Sequence, residues 1–276
     1  MARMLMRLQR AFASRATLRA VVSLVVFVVL WEAGSRSKQW FGVAAPWIGN
    51  VPAPSAVFVA WTHLIGDKGY WQSWYMSLGR VLAGFAVAMA VGIPLGLLMA
   101  VSRTINGITF PVLEVLRPIP PLAWVPASII FWPTQELSIT FVTFLGAFFT
   151  VVINVIGGAR SIDVRFFQAA RAMGASQWDV FRRIVLPGTV PSIVVGASVG
   201  MGITWNVVVA AEMISGGGSQ NAGSGGGLGF FIWNSYVGGS YEQIVVGMIS
   251  IGIAGYACSE VLRRAGVLFT PWLRTR

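Results

Sequence analysis

The chain has 276 residues, with 20 Lys and Arg against 9 Asp and Glu, 56% hydrophobic residues, 11% charged ones and a mean hydropathy of +0.73. A water-soluble domain carries about 25% charged residues, so this composition excludes most soluble enzyme classes and requires lipid as part of the solvent. The net charge of +11 does not mark a nucleic-acid binder, because Lys38 and Lys68 are the only lysines and the arginines are spread along an apolar chain.

A bilayer core of about 30 Å is crossed by about 20 apolar residues in a helix, and six stretches qualify. A basic N-terminal segment, residues 1–17, precedes the first, which runs from Leu18 to Ala33. That stretch reads either as an uncleaved anchor helix or as a signal peptide, and Ala33, Gly34 and Ser35 make a poor cleavage site. A polar stretch with Pro and Trp follows from Gly34 to Tyr75, long enough for a short surface helix, so residues 18–76 form an anchor and an external segment. The membrane body, residues 77–262, holds spans from Leu78 to Val101, Ile105 to Trp132, Leu137 to Ile156, Val190 to Ile214 and Ile244 to Leu262. The tail is 263–276. With both termini in the cytoplasm, 15 of the 20 positive charges fall on the inner side, as the positive-inside rule requires. The fold class expected is therefore an all-α integral membrane protein of about six transmembrane helices.

The chemistry available to the chain is narrow. Cys258 is the single cysteine and His63 the single histidine, so no Cys-rich metal site, Ser-His-Asp triad or Cys-His dyad can be assembled. Lys38 precedes Gln39 and Lys68 precedes Gly69, so no P-loop is present. No cofactor is expected on this chain.

The stretch 157–187 between the fourth and fifth spans reads as a helix-turn-helix elbow outside the membrane. Two short helical patterns, Asp163 to Met173 and Ser176 to Ile184, are separated by Gly174 and Ala175. Gly174 suits the left-handed conformation that ends a helix, Ser176 suits an N-cap, and Pro187 is expected to stop the second helix before the fifth span. Phe166, Phe167, Met173, Trp178 and Phe181 exceed what one face needs for packing on its own spans, so a cytoplasmic partner with an apolar cleft is expected. The plainer reading is a solvated connector or an amphipathic helix on anionic lipid.

The elbow resembles the coupling motif of permease subunits of binding-protein-dependent ABC importers, written EAA, three residues, Gly, nine residues, Ile-x-Leu-Pro. Here it reads Gln168-Ala169-Ala170, three residues to Gly174, nine more, then Ile184-Val185-Leu186-Pro187. Gln168 in place of Glu is the departure, and it removes a charge that could pair with a partner. Leu116 to Trp132, Trp205 to Met213 and Gly227 to Val237 are similar to the nitrate, bicarbonate, sulfonate and taurine branch. The resemblance implies a type I importer core and coupling through Gln168, Ala169, Ala170, Gly174, Trp178, Asp179, Phe181, Ile184, Leu186 and Pro187. It also implies a second permease copy, two cytoplasmic ATP-binding subunits carrying ATP and Mg, a periplasmic or lipid-anchored solute-binding protein, and a place in the bacterial inner membrane.

Ionisable groups inside a span are functional candidates by default. Glu114 and Arg117 share a helix face, and Pro118, Pro120 and Pro121 break the helix beside them. Arg117 either draws in a small oxyanion or locks the kink in an ion pair with Glu114. Trp205, Asn206 and Glu212 lie along the fifth span; Glu212 is expected to cap backbone donors of the following loop or to meet the partner copy's loop, and Trp205 to pack. The glycine-rich loop from Gly216 to Gly229 reads as a gate, a docking surface or a linker. The rival class is an ATP-independent secondary transporter, for which Glu114 is the one acid well inside a span.

Overall fold

In the computed structural model the described residues are 2–42, 46–216 and 226–270, and for residues 2–17, 41, 216 and 269 only the backbone is described. All regular elements among them are helical: α1 (Ala2–Ser35), α2 (Ser37–Phe41), α3 (Pro54–Leu64), α4 (Lys68–Val101), α5 (Arg103–Leu116), a 3-10 turn (Pro121–Trp124), α6 (Val125–Phe131), α7 (Gln135–Arg160), α8 (Val164–Ala172), α9 (Gln177–Val180), a π-helical turn (Phe181–Val185), α10 (Leu186–Gly216), α11 (Leu228–Val237) and α12 (Tyr241–Phe269). Most of the glycine-rich loop, residues 217–225, and the end of the tail, 271–276, lie outside the described residues.

The chain divides into two units, Met1–Asp67 with Ser235–Val246, and Lys68–Asn234 with Gly247–Arg276. In the first, the apolar run of α1 is exposed from Leu18 to Leu30, as suits a helix surrounded by lipid. Glu32 closes its far end by accepting from the Arg36 Nε at 2.5 Å, the Ser55 Oγ at 2.8 Å and the Ser55 N–H at 3.0 Å. These bonds tie α1 to the start of α3.

The second unit is built around α7. Most of its apolar positions from Ile139 to Ile156 are buried against α4 on one side and α10 on the other. Lipid tails are as apolar as the side chains, so helices in a membrane associate through close packing, which small residues permit. Gly84 of α4 illustrates this: a Cβ there would lie 2.9 Å from the Phe144 backbone nitrogen of α7. The Thr134 side chain caps α7 by accepting from the Leu137 N–H at 3.3 Å, and Ser102 caps α5 in the same way from Ile105.

Among the described residues five helices are long and apolar enough to cross a membrane. The third expected span, Ile105 to Trp132, is instead two arms, Arg103–Leu116 and Pro121–Phe131, bent by 88°. Pro118, Pro120 and Pro121 supply no N–H to carry the α5 ladder onward. The second expected span begins earlier than its apolar run, because α4 starts at Lys68 with Tyr70, Trp71 and Trp74 in its first turns, the amphipathic residues favoured at a membrane interface. Thirty-four residues give about 51 Å of helix, so α4 extends past the hydrocarbon.

One expectation is overturned: Pro187 does not stop a helix. Pro187 cannot donate to the Arg183 carbonyl, and the preceding turn widens so that the Leu186 N–H bonds the Phe181 carbonyl, five residues back. Pro is tolerated in the first turn of a helix, and the chain passes through the π turn into α10 without leaving helical geometry.

Candidate functional site

The elbow is shaped by its own local sequence. Asp163 caps α8 by accepting from the Arg165 N–H at 2.8 Å. At the other end the Ala175 N–H bonds the Ala170 carbonyl and the Gly174 N–H bonds the Arg171 carbonyl, each at 3.0 Å, the paired bonds of a Schellman motif. Gly174 has φ +76°, which any residue with a Cβ adopts only under strain. Two residues on, Ser176 and Asp179 form a reciprocal capping box, in which the Ser176 Oγ accepts from the Asp179 N–H at 3.1 Å and Asp179 accepts from the Ser176 N–H at 3.3 Å. Within 17 residues the chain therefore starts one helix, stops it and starts another.

The elbow has two faces. Phe167, Val180 and Phe181 pack on the ends of α4 and α7 with Leu97, Val151 and Val155. Gln168, Ala169 and Gly174 are exposed, and Phe166, Met173 and Trp178 stand 61%, 80% and 66% exposed. Trp178 stacks on Phe181 with ring centroids 5.6 Å apart, which fixes its direction. Ala170 is buried, Asp179, Ile184 and Pro187 are half-buried, and Leu186 is on the surface. A cavity of about 600 Å³ opens between the elbow and the ends of α4 and α7, with Phe167, Arg171, Trp178 and Phe181 among its walls.

At the bend of the broken span, Arg117 and Pro121 line a second cavity, about 290 Å³, whose other wall is α7 with Phe149, Thr150 and Asn154, closed by Ile203 of α10. The Asn154 Nδ2 donates to the Thr150 carbonyl at 2.8 Å. The expected ion pair between Glu114 and Arg117 is not formed: both side chains are exposed, and no salt bridge among the described residues involves either. Arg117 is the C-cap of α5, where the chain leaves the helix for the bend, and it is among the residues that line the cavity while Glu114 is not. Pro118 and Pro120 are exposed on the bend. Asn206 is exposed and does not line this cavity, and Trp205 is 2% exposed in the core beside Gly255. The structure thus brings Arg117 and Pro121 together and leaves Glu114, Trp205, Asn206 and Glu212 elsewhere.

Glu212 lies at the opposite end of α10 from the elbow, 1% exposed. It accepts from the Ser77 Oγ at 2.8 Å, the Arg80 Nη1 at 2.8 Å and the Gly229 N–H at 2.9 Å, so it caps the start of α11 as expected of it. Ser77 accepts in turn from the Leu228 N–H at 2.7 Å. Arg80 also forks onto Glu136, with its Nε 2.8 Å from Oε2 and its Nη2 on Oε1. Ser77, Arg80 and Glu136 were invisible as a site in the sequence, as were Thr150 and Asn154; a polar pair four residues apart inside an apolar span was the available signal for the latter two. Among the described residues no group of three or more His, Cys, Asp or Glu could hold a metal.

Residues 92–275 match the family model described as binding-protein-dependent transport system inner membrane component. The chain is 37% identical over 252 residues to a putative ABC transporter permease protein of Methanocaldococcus jannaschii, covering 89% of this chain and 88% of that one. It is 33% identical over 263 residues to the nitrate import permease protein NrtB of Synechocystis, covering 92% and 90%, and 30% identical over 227 residues to the taurine transport system permease protein TauC of Escherichia coli, covering 80% of each. An inward-facing structure of the MetNI methionine ABC transporter shares the fold with a TM-score of 0.54 at 22% identity, over 72% of this chain and 94% of that one. The match over two thirds of the chain, the helical body and the elbow agree, and the chain belongs to the inner membrane components of binding-protein-dependent transport systems, the permease subunits of ABC transporters.

Proposed function

We propose that the chain forms the membrane pathway of an ATP-driven importer for a small anion, nitrate or bicarbonate in the first instance and a sulfonate such as taurine as the alternative. The observation that carries this reading is the elbow. Its two α-helices are each capped at their start by a side chain, Phe167, Val180 and Phe181 fix it to the ends of α4 and α7, and Phe166, Met173 and Trp178 are left exposed. A rigid knob with an exposed apolar tip fits a cleft on a cytoplasmic ATP-binding subunit better than it fits water. ATP and Mg belong to those two partner subunits, and the permease contributes no hydrolytic group.

The relatives named for nitrate and taurine transport support this solute class. With the bent pair α5 and α6 counted as one crossing, the positive-inside rule supports a cytoplasmic elbow and cytoplasmic termini. A second copy of the chain completes the pathway, and a periplasmic or lipid-anchored binding protein delivers the solute at the Glu212 end. ATP binding draws the partner subunits together, and the continuous helical path from α9 through the π turn into α10 passes the motion into the membrane. Hydrolysis resets it.

Proteoliposomes holding the assembled complex test the reading with nitrate, bicarbonate and taurine in turn. Uptake of at least one that requires internal ATP is expected. Uptake that ignores ATP and follows an imposed proton gradient, or purification that never retains an ATP-binding subunit, overturns it.

A further inference from the structure

We infer that Arg117, Thr150 and Asn154 form an anion station in the membrane, where one small oxyanion is held with part of its water shell on its way through the permease; this deepens the importer reading and rests on it. Arg117 stands at the 88° bend between the apolar arms Arg103–Leu116 and Pro121–Phe131, and the cavity it lines carries no acidic side chain. Among the described residues it makes no ion pair. A guanidinium cannot shed its proton, and a charge held near hydrocarbon without a counter-charge is costly unless water or a mobile ion answers it. The cavity is therefore wet and attracts anions.

Its other polar groups suit the same guest. The Asn154 amide spends one N–H on the Thr150 carbonyl, which orients it and leaves a second N–H; the Thr150 hydroxyl adds another donor. With the planar fork of Arg117 these are donors of the kind that surround an oxyanion. Phe149 and Ile203 complete the wall with apolar surface, which lowers the local dielectric and strengthens each of these contacts. A water takes up roughly 30 Å³ of liquid, so about 290 Å³ holds an anion of a few heavy atoms together with several waters. A station of this kind must bind weakly enough to release, and one cation with two neutral donors meets that need better than a ring of arginines would.

The test uses the full complex in two measurements. In the first, nitrate, bicarbonate and taurine are titrated without nucleotide against the detergent-solubilised complex, with binding read from tryptophan fluorescence or calorimetry. In the second, ATP-driven uptake is followed in proteoliposomes. Arg117→Gln is expected to lower kcat/KM for uptake about 100-fold, chiefly through KM, and Thr150→Val and Asn154→Leu about 10-fold each.

Charge rescue separates a station from a structural arginine. In a Cys258→Ser background, Arg117→Cys is expected to be slow, to recover when a thiol reagent adds an ammonium group, and to stay slow when the reagent adds a sulfonate. Equal recovery with both reagents, an unchanged KM in Arg117→Gln, or binding of none of the three anions that depends on Arg117 overturns the station. If binding depends on Arg117 but uptake ignores ATP, the station stands and the importer reading falls.

Discussion

Two arginines inside the spans of this protein have opposite surroundings. Arg80 is 6% exposed and held by two carboxylates, Glu136 and Glu212, from two other helices. Arg117 is exposed at the bend of a broken helix and has no carboxylate on it among the described residues. A charge that is fully answered by fixed partners has nothing left to offer a solute, so Arg80 serves the fold. One left unanswered beside a cavity is available to something that comes and goes. The difference between a structural and a functional arginine lies in the accounting of its neighbours and not in its depth.

Arg80→Leu should therefore give the largest loss of stability. It strands the buried Glu212 carboxylate, and breaking a buried pair costs about 3–5 kcal/mol. The measurement is thermal unfolding of the solubilised protein, and survival of an unchanged melting temperature would break the comparison. Adding Glu212→Leu should recover much of the loss, because the stranded charge is then gone.

Arg117→Gln should do the reverse. Its melting temperature should stay within about 0.5 kcal/mol of wild type in equivalent stability, as for a surface substitution, while uptake falls steeply. A variant that unfolds as readily as Arg80→Leu would show that Arg117 has a fixed partner after all, and the two arginines would then be of one kind.

The sequence made these residues unequally legible. The elbow was readable because its signals are local: Asp163, Gly174, Ser176 and Asp179 each act on backbone groups within five residues. The break in the third span was readable from three prolines. Arg80 carries no such local signal, because its partners lie 56 and 132 residues away and no periodicity connects them. Arg117 misled in the other direction. Residues three apart share a helix face, but a shared face does not by itself make an ion pair: Arg117 caps the end of α5 and is among the residues lining the cavity against α7, while Glu114 is not. Pro187 failed as a stop signal for a related reason, since a widened turn absorbed the missing donor.

Ser77 sharpens the comparison at smaller scale. Its hydroxyl donates to Glu212 and accepts from the Leu228 N–H, so Ser77→Ala leaves a buried carboxylate short of a donor and a buried N–H without an acceptor. About 1–3 kcal/mol should be lost, with Arg80 still in place. Hydrogen exchange at the start of α11 should rise along with it, because Leu228 and Gly229 are held there by Ser77 and Glu212. Loss of stability without faster exchange at α11 would mean that Ser77 acts through packing alone.

Glu136→Gln should have the smallest effect, although Glu136 receives two of the three hydrogen bonds that Arg80 makes to carboxylates. The Glu136 side chain is 57% exposed against 0% for Glu212, so water can take over what the carboxylate gives up. Exposed ion pairs contribute about 0–1 kcal/mol, and the glutamine oxygen can still accept one bond from the guanidinium. The melting temperature should move little, and the small shift should shrink further at high salt, where exposed charges are screened. A loss as large as that of Arg80→Leu would place the stabilising partner of Arg80 at Glu136, and the buried Glu212 would then depend on Ser77 and the α11 backbone more than on the arginine.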